Sequence, residues 1–287
     1  MAIGSWPQGQ NRTASRSYED GEILATVPEK LDAGDSAVLR VVHGPEIVEV
    51  NGLGWQESTP TFTQHTATLR ILGGDADIDN FLKSTRSNVQ DLEAAIVQLK
   101  ARAVQALFDD TFVNGDESAN PEAFNGIDRL TAPSQTISMG ANGGVLTLDK
   151  LDELIDAVRG GKPDLLLMSR RSRRTLNELA RATGTFLEAD RDAFGNMLQF
   201  YDGIPIGISD YISDQQTVGS SNDCSTIYAM QFGEGGLAGL TAPGGLTIER
   251  VGSLETKDAT RIRVKWYAGL ALFNTVKLAK LIGVRAA

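Results

Sequence analysis

LFDDTFVNGDESANPEAFNGIDRL, residues 107–130, joins the end of a long apolar-periodic segment to a polar run that closes on a second apolar anchor. A tight turn is predicted at Asn114, Gly115 and Asp116, and Phe124 is the anchor that follows it. Because Asn-Gly favours a left-handed residue at the end of a helix, we predict that the helix ends that way here. The stretch therefore predicts a fixed exit from a long helix.

The helix before this turn is the strongest in the sequence and is predicted over residues 84–113. No Gly or Pro interrupts it, and at about 1.5 Å per residue it would be a rod on the order of 40 Å long, which we call the spine helix. Ser84 or Ser87 can cap its start. Apolar residues recur at three- and four-residue steps, so we expect one buried stripe. Its members are Val89, Leu92, Ile96, Leu99, Ala103 and Ala106.

Upstream of the spine helix, residues 37–68 favour strands because β-branched residues are frequent and partly alternate with polar ones. The simplest interpretation is a long two-stranded ribbon that turns near residues 51–54. An isolated ribbon is marginally stable in water, so something else must cover it. Residues 1–20 are polar and are predicted to form an extended arm.

Downstream, an αβ block is predicted. A helix begins after Thr147 and stops at Gly160-Gly161, a short buried strand DLLLMS follows, and a second helix ends at Gly184. GIPIGIS and STIYAMQF are predicted strands, whereas residues 185–203 are predicted to be a long mixed loop. The C-terminal part is β-rich, since residues 261–267, RIRVKWY, alternate polar and apolar side chains.

The composition is that of a folded protein with an acidic balance. The 287 residues are 41% hydrophobic and 22% charged, and the formal net charge of -10 argues against a chain that grips nucleic acid. No apolar run approaches the roughly 20 residues of a membrane helix, and the N-terminus lacks the apolar core of a signal peptide. We expect the chain to stay in the cytosol where it is made.

The sequence offers little for catalysis, metal binding or cofactor binding. The two histidines lie in the predicted ribbon, and the single cysteine, Cys224, is predicted in a surface loop. Asp75, Asp77 and Asp79 alternate like calcium ligands, but the stretch lacks the glycine and the bidentate glutamate of such a loop. We therefore predict no catalytic residue, no metal site and no cofactor.

One basic cluster stands at the start of the second helix of the αβ block. It consists of Arg170, Arg171, Arg173 and Arg174. Cations there oppose the helix dipole, so helix propensity does not explain them. They bind phosphate or the carboxylates of a neighbouring subunit, or they form an ordinary solvated face.

The order of these parts resembles the major capsid proteins of tailed bacteriophages of the Hong Kong 97 type. The local matches run in the order that this family shows, over most of the chain from Glu22 to Val284. They are LRILGGDADIDNFL, FVNGDESANPEAFNGIDRL, DLLLMSRRSRRTLNELARATG and GIPIGISDYI.

The resemblance implies an α+β fold with an N-terminal arm (1–34), an extended β-hairpin loop (35–75), a peripheral domain and an axial α/β domain (141–235). The peripheral domain would comprise residues 76–140 and 236–287 and contain the spine helix. Extended loops lie across neighbours in that family, which gives the ribbon the cover it needs. Candidate inter-subunit contacts are Trp55, Glu57, Arg170, Arg171, Arg173 and Arg174.

The implied function is that of a structural protein, not an enzyme, whose copies form pentameric and hexameric capsomers of an icosahedral shell around double-stranded DNA. DNA would be enclosed without specific binding, there would be no membrane, and assembly would take place in the cytoplasm of the host bacterium. A separate scaffold protein, or none, a portal and decoration proteins are further implied partners. Two alternatives stay open: an encapsulin-like shell that encloses cargo enzymes, and a cytosolic α/β enzyme built on residues 141–287.

Overall fold

The computed structural model describes residues 13–15, 26–28, 36–42, 62–86, 92–184, 188–191, 197–233 and 235–285. Its strands are β1 (Thr13–Ser15), β2 (Thr26–Pro28), β3 (Ser36–Val42), β4 (Phe62–Thr68), β5 (Arg70–Asp79), β6 (Thr136–Ser138), β7 (Gly144–Val145), β8 (Leu165–Met168), β9 (Glu188–Arg191), β10 (Met197–Tyr201), β11 (Ile204–Ile208), β12 (Gln216–Val218), β13 (Ser221–Met230), β14 (Leu237–Thr241), β15 (Thr247–Ser253), β16 (Ala259–Leu272) and β17 (Leu278–Arg285). The α-helices are α1 (Asn80–Arg86), α2 (Leu92–Asn114), α3 (Ile127–Leu130), α4 (Leu148–Ala157) and α5 (Arg170–Thr183), and short 3-10 turns cover Pro133–Gln135 and Thr275–Lys277.

The larger sheet is built by the αβ block together with the last strand of the chain. Its order is β6-β17-β13-β8-β11-β10-β9, with β12 added to β13 and β7 added to β17. The predicted strands DLLLMS, GIPIGIS and STIYAMQF are observed as β8, β11 and part of β13. The predicted loop 185–203 is wrong in part, because β9 and β10 lie within it and pair with each other.

Both predicted helices of the αβ block are present, with the expected start of α4 and the expected end of α5, but α4 ends at Ala157, before the predicted stop at Gly160-Gly161. The hydroxyl of Thr147 accepts a hydrogen bond from the backbone N–H of Lys150, and Gly184 ends α5 with a φ of 71°. Side chains from both helices pack into one core with strands of the larger sheet, including Leu154 of α4 and Leu176 of α5, both fully buried. The two helices are therefore held on the same body.

The smaller sheet is organised around the 14-residue strand β16. Strand β5 pairs with β16 antiparallel along its whole length, and β15 and β14 pair with successive parts of the other edge of β16. The alternation predicted in RIRVKWY is observed, since Ile262 and Val264 are buried and Arg263 between them is exposed.

The spine helix is shorter at its start than predicted. Residues 84–86 belong to the separate helix α1, where the Ser84 hydroxyl donates to the carbonyl oxygen of Phe81, so Ser84 does not cap the spine helix. Ser87 and Val89 lie outside the described residues. The observed spine helix, α2, begins at Leu92 and ends at Asn114.

The predicted buried stripe of the spine helix is also wrong. Leu99 is 64% exposed and Ala103 is exposed, whereas Val104 is buried and Phe108 packs against the core with it. With about 3.6 residues per turn, the predicted stripe lies roughly a third of a turn away from the side that faces the smaller sheet. The apolar periodicity is real, but a different side of the helix is buried.

A shared core joins the two sheets. Tyr228 and Leu278 of the larger sheet, Leu72 and Val264 of the smaller sheet, and Val104 of α2 belong to one cluster of buried side chains. The two sheets therefore share one hydrophobic core.

Strands β3 and β4 form the base of the predicted ribbon. They pair antiparallel from Ser36 opposite Thr68 to Val42 opposite Phe62, in a sheet that contains only these two strands among the described residues. The predicted turn at residues 51–54 falls outside the described residues. Strand β4 is followed after one residue by β5, so the ribbon continues from the smaller sheet.

Candidate subunit-contact surfaces

The loop that follows the spine helix, residues 115–126, is closed by a close approach of two glycines. The N–H of Gly126 donates to the carbonyl oxygen of Gly115 over 2.8 Å, and the N–H of Gly115 donates to that of Thr111 over 2.9 Å. A Cβ atom added at Gly115 would lie 2.2 Å from the carbonyl oxygen of Phe124. Gly115 does not have a positive φ, so the prediction of a left-handed helix end is wrong.

Side chains within the loop satisfy its own backbone groups. The Asp116 carboxylate accepts from the N–H of Ser118 over 2.8 Å, and this bond holds the pKa of Asp116 below its usual value. The Asn125 side-chain oxygen accepts from the N–H of Glu117 over 3.1 Å. The hydrogen-bonded turn lies later in the chain than the predicted Asn114 to Asp116: it spans Asp116 to Asn120, and the N–H of Asn120 donates to the carbonyl oxygen of Asp116.

Two residues fix this loop to the rest of the molecule. Phe124 is 2% exposed and its ring centroid lies 5.9 Å from that of Phe108 on the spine helix. The side-chain amide of Asn114 donates to the carbonyl oxygen of Tyr211, which follows β11 in the chain. Phe124 thus fixes the loop to the spine helix, and Asn114 fixes the end of that helix to the segment after β11.

Two of the four clustered arginines have partners within the chain. Arg170 forms a two-pronged ion pair with Asp210, whose pKa is lowered by that contact. The Arg171 guanidinium donates to the carbonyl oxygen of Asp223 over 2.7 Å and lies 3.4 Å from the Asp214 carboxylate. Both residues therefore connect the start of α5 to the loop between β11 and β12, and Arg171 also connects it to β13.

The other two arginines of the cluster have no acidic partner in the described part of the chain. The Nε atom of Arg173 is inaccessible to water and makes no hydrogen bond there, and Arg174 is exposed. Ser169 caps α5 by accepting from the N–H of Ser172 over 3.1 Å. Arg173 and Arg174 are therefore the members of the cluster that are free for a partner outside the chain.

The alternating aspartates Asp75, Asp77 and Asp79 lie in β5. The first two form ion pairs with arginines of the neighbouring strand β16. Arg263 donates to both oxygens of Asp75 at 2.7 and 2.9 Å, and Arg261 donates to both oxygens of Asp77 at 2.7 and 3.0 Å. The hydrogen bonds from Arg261 and then Lys257 hold the pKa of Asp77 far below its usual value. Asp75 and Asp77 alternate because each stands opposite an arginine of β16, with which it forms an ion pair.

Several apolar side chains are exposed on the smaller sheet and the spine helix. Ile71 on β5, Leu99 on α2 and Ile248 on β15 are each more than half exposed. Among the described residues β5 pairs only with β16, so its other edge carries free backbone groups. Within the described ranges, these surfaces are uncovered.

The other residues singled out from the sequence are placed as follows. Trp55 and Glu57, the candidate contacts in the ribbon, lie outside the described residues. Cys224 is fully buried in β13, so its predicted place in a surface loop is wrong. The described part of the chain contains no group of three or more metal-ligating side chains and no helix long and apolar enough to span a membrane.

The described residues include the base of a two-stranded ribbon and exposed apolar surfaces, and the sequence has relatives of known architecture. The family model described as "Phage capsid family" matches residues 29–281. The chain belongs to the phage capsid family. Its function is structural: it is a major capsid protein, a subunit of a phage shell.

Solved structures share the fold of this capsid protein at low sequence identity. The holo-SrpI encapsulin complex from Synechococcus elongatus PCC 7942 matches with a TM-score of 0.70 and 20% identity, over 89% of this chain and 84% of that chain. The capsid of the native GTA particle matches with a TM-score of 0.61 and 17% identity, over 90% and 87%. The capsid of Myoviridae phage XM1 matches with a TM-score of 0.59 and 13% identity, over 99% and 97%.

These likenesses confirm the fold class expected from the sequence, the Hong Kong 97 type. A search of curated proteins found no match. Sequence reasoning located Arg170 to Arg174 but missed their division into paired and unpaired members. It also missed the acidic partners Asp210 and Asp214, because they are separated from the cluster in the sequence and approach it only in the folded chain.

Proposed function

We propose that this capsid protein assembles through pentameric and hexameric capsomers into the icosahedral shell of a tailed bacteriophage and encloses its double-stranded DNA. The observation that carries this proposal is the ribbon of β3 and β4, a two-stranded sheet apart from both larger sheets in the described residues. A ribbon of this kind is marginal alone and becomes stable when it lies on a neighbouring subunit. Many such modest contacts, repeated over a shell, add to a stable assembly.

The proposal assigns the parts of the chain to roles in the shell. The ribbon lies within the extended loop (35–75), and the peripheral domain (76–140 and 236–287) contains the spine helix and most of the smaller sheet. The axial domain (141–235) contains α4, α5 and most of the larger sheet. The arm (1–34) and the ribbon residues Trp55 and Glu57 contact neighbours.

The net negative charge of the chain agrees with a shell that encloses DNA without binding it. A formal net charge of -10 repels DNA as a whole, so the shell encloses its genome without gripping it. The subunit acts without catalysing a reaction, and assembly takes place in the cytoplasm of the host bacterium. A portal, decoration proteins and a separate scaffold protein are the proposed further partners.

An encapsulin-like compartment is the second candidate, favoured by the fold likeness to the SrpI encapsulin. The family match favours the phage shell. The contents of purified particles separate the two, because a phage shell made during infection contains nuclease-resistant DNA, whereas an encapsulin contains a cargo protein.

The test shortens the ribbon and asks whether shells still form. Residues 46–60 are replaced by Asn-Gly, which together with Gly44 and Pro45 gives a four-residue connection in the register of β3 and β4. We expect a folded, soluble subunit that forms no shells in negative-stain electron microscopy, while the unaltered chain forms closed particles. Normal particles from the shortened chain, or no particles from the unaltered chain, would contradict the proposal.

A further inference from the structure

The outward side of α5 carries cations that form no ion pair within the described part of the chain, together with one exposed carboxylate, that of Glu178. Arg173, Arg174 and Arg181 have no acidic partner there, and the only bond of the Arg181 side chain is to the carbonyl oxygen of Asn177. The first two stand near the helix start, where the helix dipole opposes positive charge. Their position therefore calls for a partner outside this helix.

The outward side of α4 has the opposite charge. Its buried side is formed by Leu151, Leu154 and Ile155, and four exposed carboxylates lie on the other sides. These are Asp149, Asp152, Glu153 and Asp156, of which Glu153 pairs with Lys150 and Asp152 accepts from the Tyr201 hydroxyl. Asp149 and Asp156 form no ion pair with described residues.

The two charged surfaces are fixed relative to each other. Both helices pack into the same core, with Leu154 and Leu176 fully buried in it. Close-packed cores hold their elements in one arrangement, so every copy presents the basic and the acidic surface in the same geometry.

Charge disfavours a two-fold contact at either surface. In a two-fold contact the same patch meets itself, which would place arginine against arginine or carboxylate against carboxylate, and like charges in an interface are costly. A head-to-tail contact places opposite charges together and generates a ring when its rotation closes.

We propose that the basic side of α5 in one copy docks on the acidic side of α4 in a second copy, and that this contact joins successive subunits around a capsomer. The inference rests on the proposed function and names the surfaces through which it acts. Arg173 and Arg174 are the central cations, and Glu153 and Asp156 are central among the carboxylates.

The test is a charge swap in the full chain. Arg173→Glu with Arg174→Glu puts carboxylates near the start of α5, and Glu153→Arg with Asp156→Arg puts cations near the end of α4. Both changes agree with the dipole of their own helix, so each variant is expected to fold. Because Arg173 is partly buried, Arg174→Glu alone is included as a milder variant.

We expect each double reversal to lower the yield of shells at least about tenfold, since it places like charges in the contact. The variant with all four substitutions again has opposite charges across the contact, with the signs exchanged, and is expected to form shells. Arg102→Glu on the exposed side of the spine helix is the matched control and is expected to assemble normally. Thermal melts of all variants confirm folding.

A mixture of the two double-reversal variants gives a sharper result. The two can only alternate around a ring, so rings with an even number of copies close and five-fold rings do not. We therefore expect the mixture to form rings or flat arrays without closed shells.

Three results would overturn the contact. The first is normal shell yield from either folded double reversal, or from the mixture. The second is that the variant with all four substitutions folds but does not form shells. The third is normal assembly of Arg174→Glu combined with lost binding of the subunit to a DNA oligonucleotide, which would assign the cations to nucleic acid. If the unaltered chain forms neither rings nor shells, the proposed function fails and this contact fails with it.

Discussion

At the scale of single residues, the loop after the spine helix depends on the absence of two side chains. Gly115 and Gly126 bring two backbone segments together at hydrogen-bond distance, 2.8 Å from nitrogen to oxygen. Any Cβ at Gly115 would overlap the carbonyl oxygens of Phe124 and Thr111, at 2.2 and 2.5 Å. Backbone atoms cannot move aside as a flexible side chain can, so glycine is required there.

We predict that Gly115→Ala destabilises the subunit by about 1–3 kcal/mol, as overpacking typically does. Gly239→Ala is the matched control, because a Cβ at Gly239 meets no atom within 4 Å and its φ is ordinary. Urea denaturation of the unassembled subunit measures both. Equal stability of the two variants would show that the close approach does not constrain the loop.

The sequence identified this turn but not the reason for its glycine. Asn-Gly is a common helix end, so local statistics favour a left-handed Gly115. The actual constraint is the approach of Gly126 and of the Phe124 carbonyl, which depends on how the loop closes. Local sequence carries little information about such a contact.

At the scale of elements, the spine helix shows why periodicity alone does not determine which side is buried. Its apolar residues follow a helical repeat, but the side against the smaller sheet is the one that contains Val104 and Phe108. Leu99 and Leu107, 64% and 46% exposed, lie on the stripe that the sequence favours or beside it. A helix with two apolar sides gives an ambiguous pattern.

We predict that Val104→Ala costs about 2 kcal/mol of unfolding free energy, from lost burial and the cavity left behind. Leu99→Gln with Leu107→Gln changes the stability of the unassembled subunit by less than about 0.5 kcal/mol per site, because exposed positions tolerate substitution. Chemical denaturation of the two variants decides between the sides. A larger loss from the leucine pair would mean that the predicted stripe is buried after all.

Elements with one clear buried face were predictable. Strand β16 alternates cleanly, and α4 and α5 carry the end residues Thr147 and Gly184 that the sequence indicated. Strands β9 and β10 were not predictable, since their residues mix charge and apolar character without a period. These residues form strands because they pair with each other, and the local sequence pattern does not indicate that pairing.

At the scale of the whole molecule, the two sheets share a core and are expected to unfold together. Tyr228 and Leu278 come from one sheet, Leu72 and Val264 from the other, and Phe124 from the loop after the spine helix. Separating the sheets would expose this apolar surface to water.

We predict a single calorimetric transition for the unassembled subunit, for which the shortened-ribbon variant serves. Phe124→Ala in the shared core is expected to lower the free energy of unfolding by about 3–5 kcal/mol. Leu176→Ala in the core of the larger sheet is expected to lower it by about 2–5 kcal/mol. Both are expected to move the whole transition to lower temperature. Two transitions, of which each variant moves only one, would show that the sheets unfold independently.

The overall architecture was predictable from the order of parts, whereas the contact surfaces were not. Ribbon, spine helix, αβ block and β-rich return appear in the sequence in the order that the family shows. The division of the arginine cluster depends on Asp210 and Asp214, which fold back onto α5 from a later loop. Long-range pairing of this kind requires coordinates.

The unpaired edge of β5 affects how the subunit behaves before it assembles into a shell. In the described residues, ten consecutive positions of this strand pair on one side only, next to the exposed side chain of Ile71. Such an edge accepts any extended chain, correct or not, so newly made subunits aggregate when they accumulate faster than they are consumed. We therefore expect slow synthesis at low temperature to increase the yield of soluble subunit.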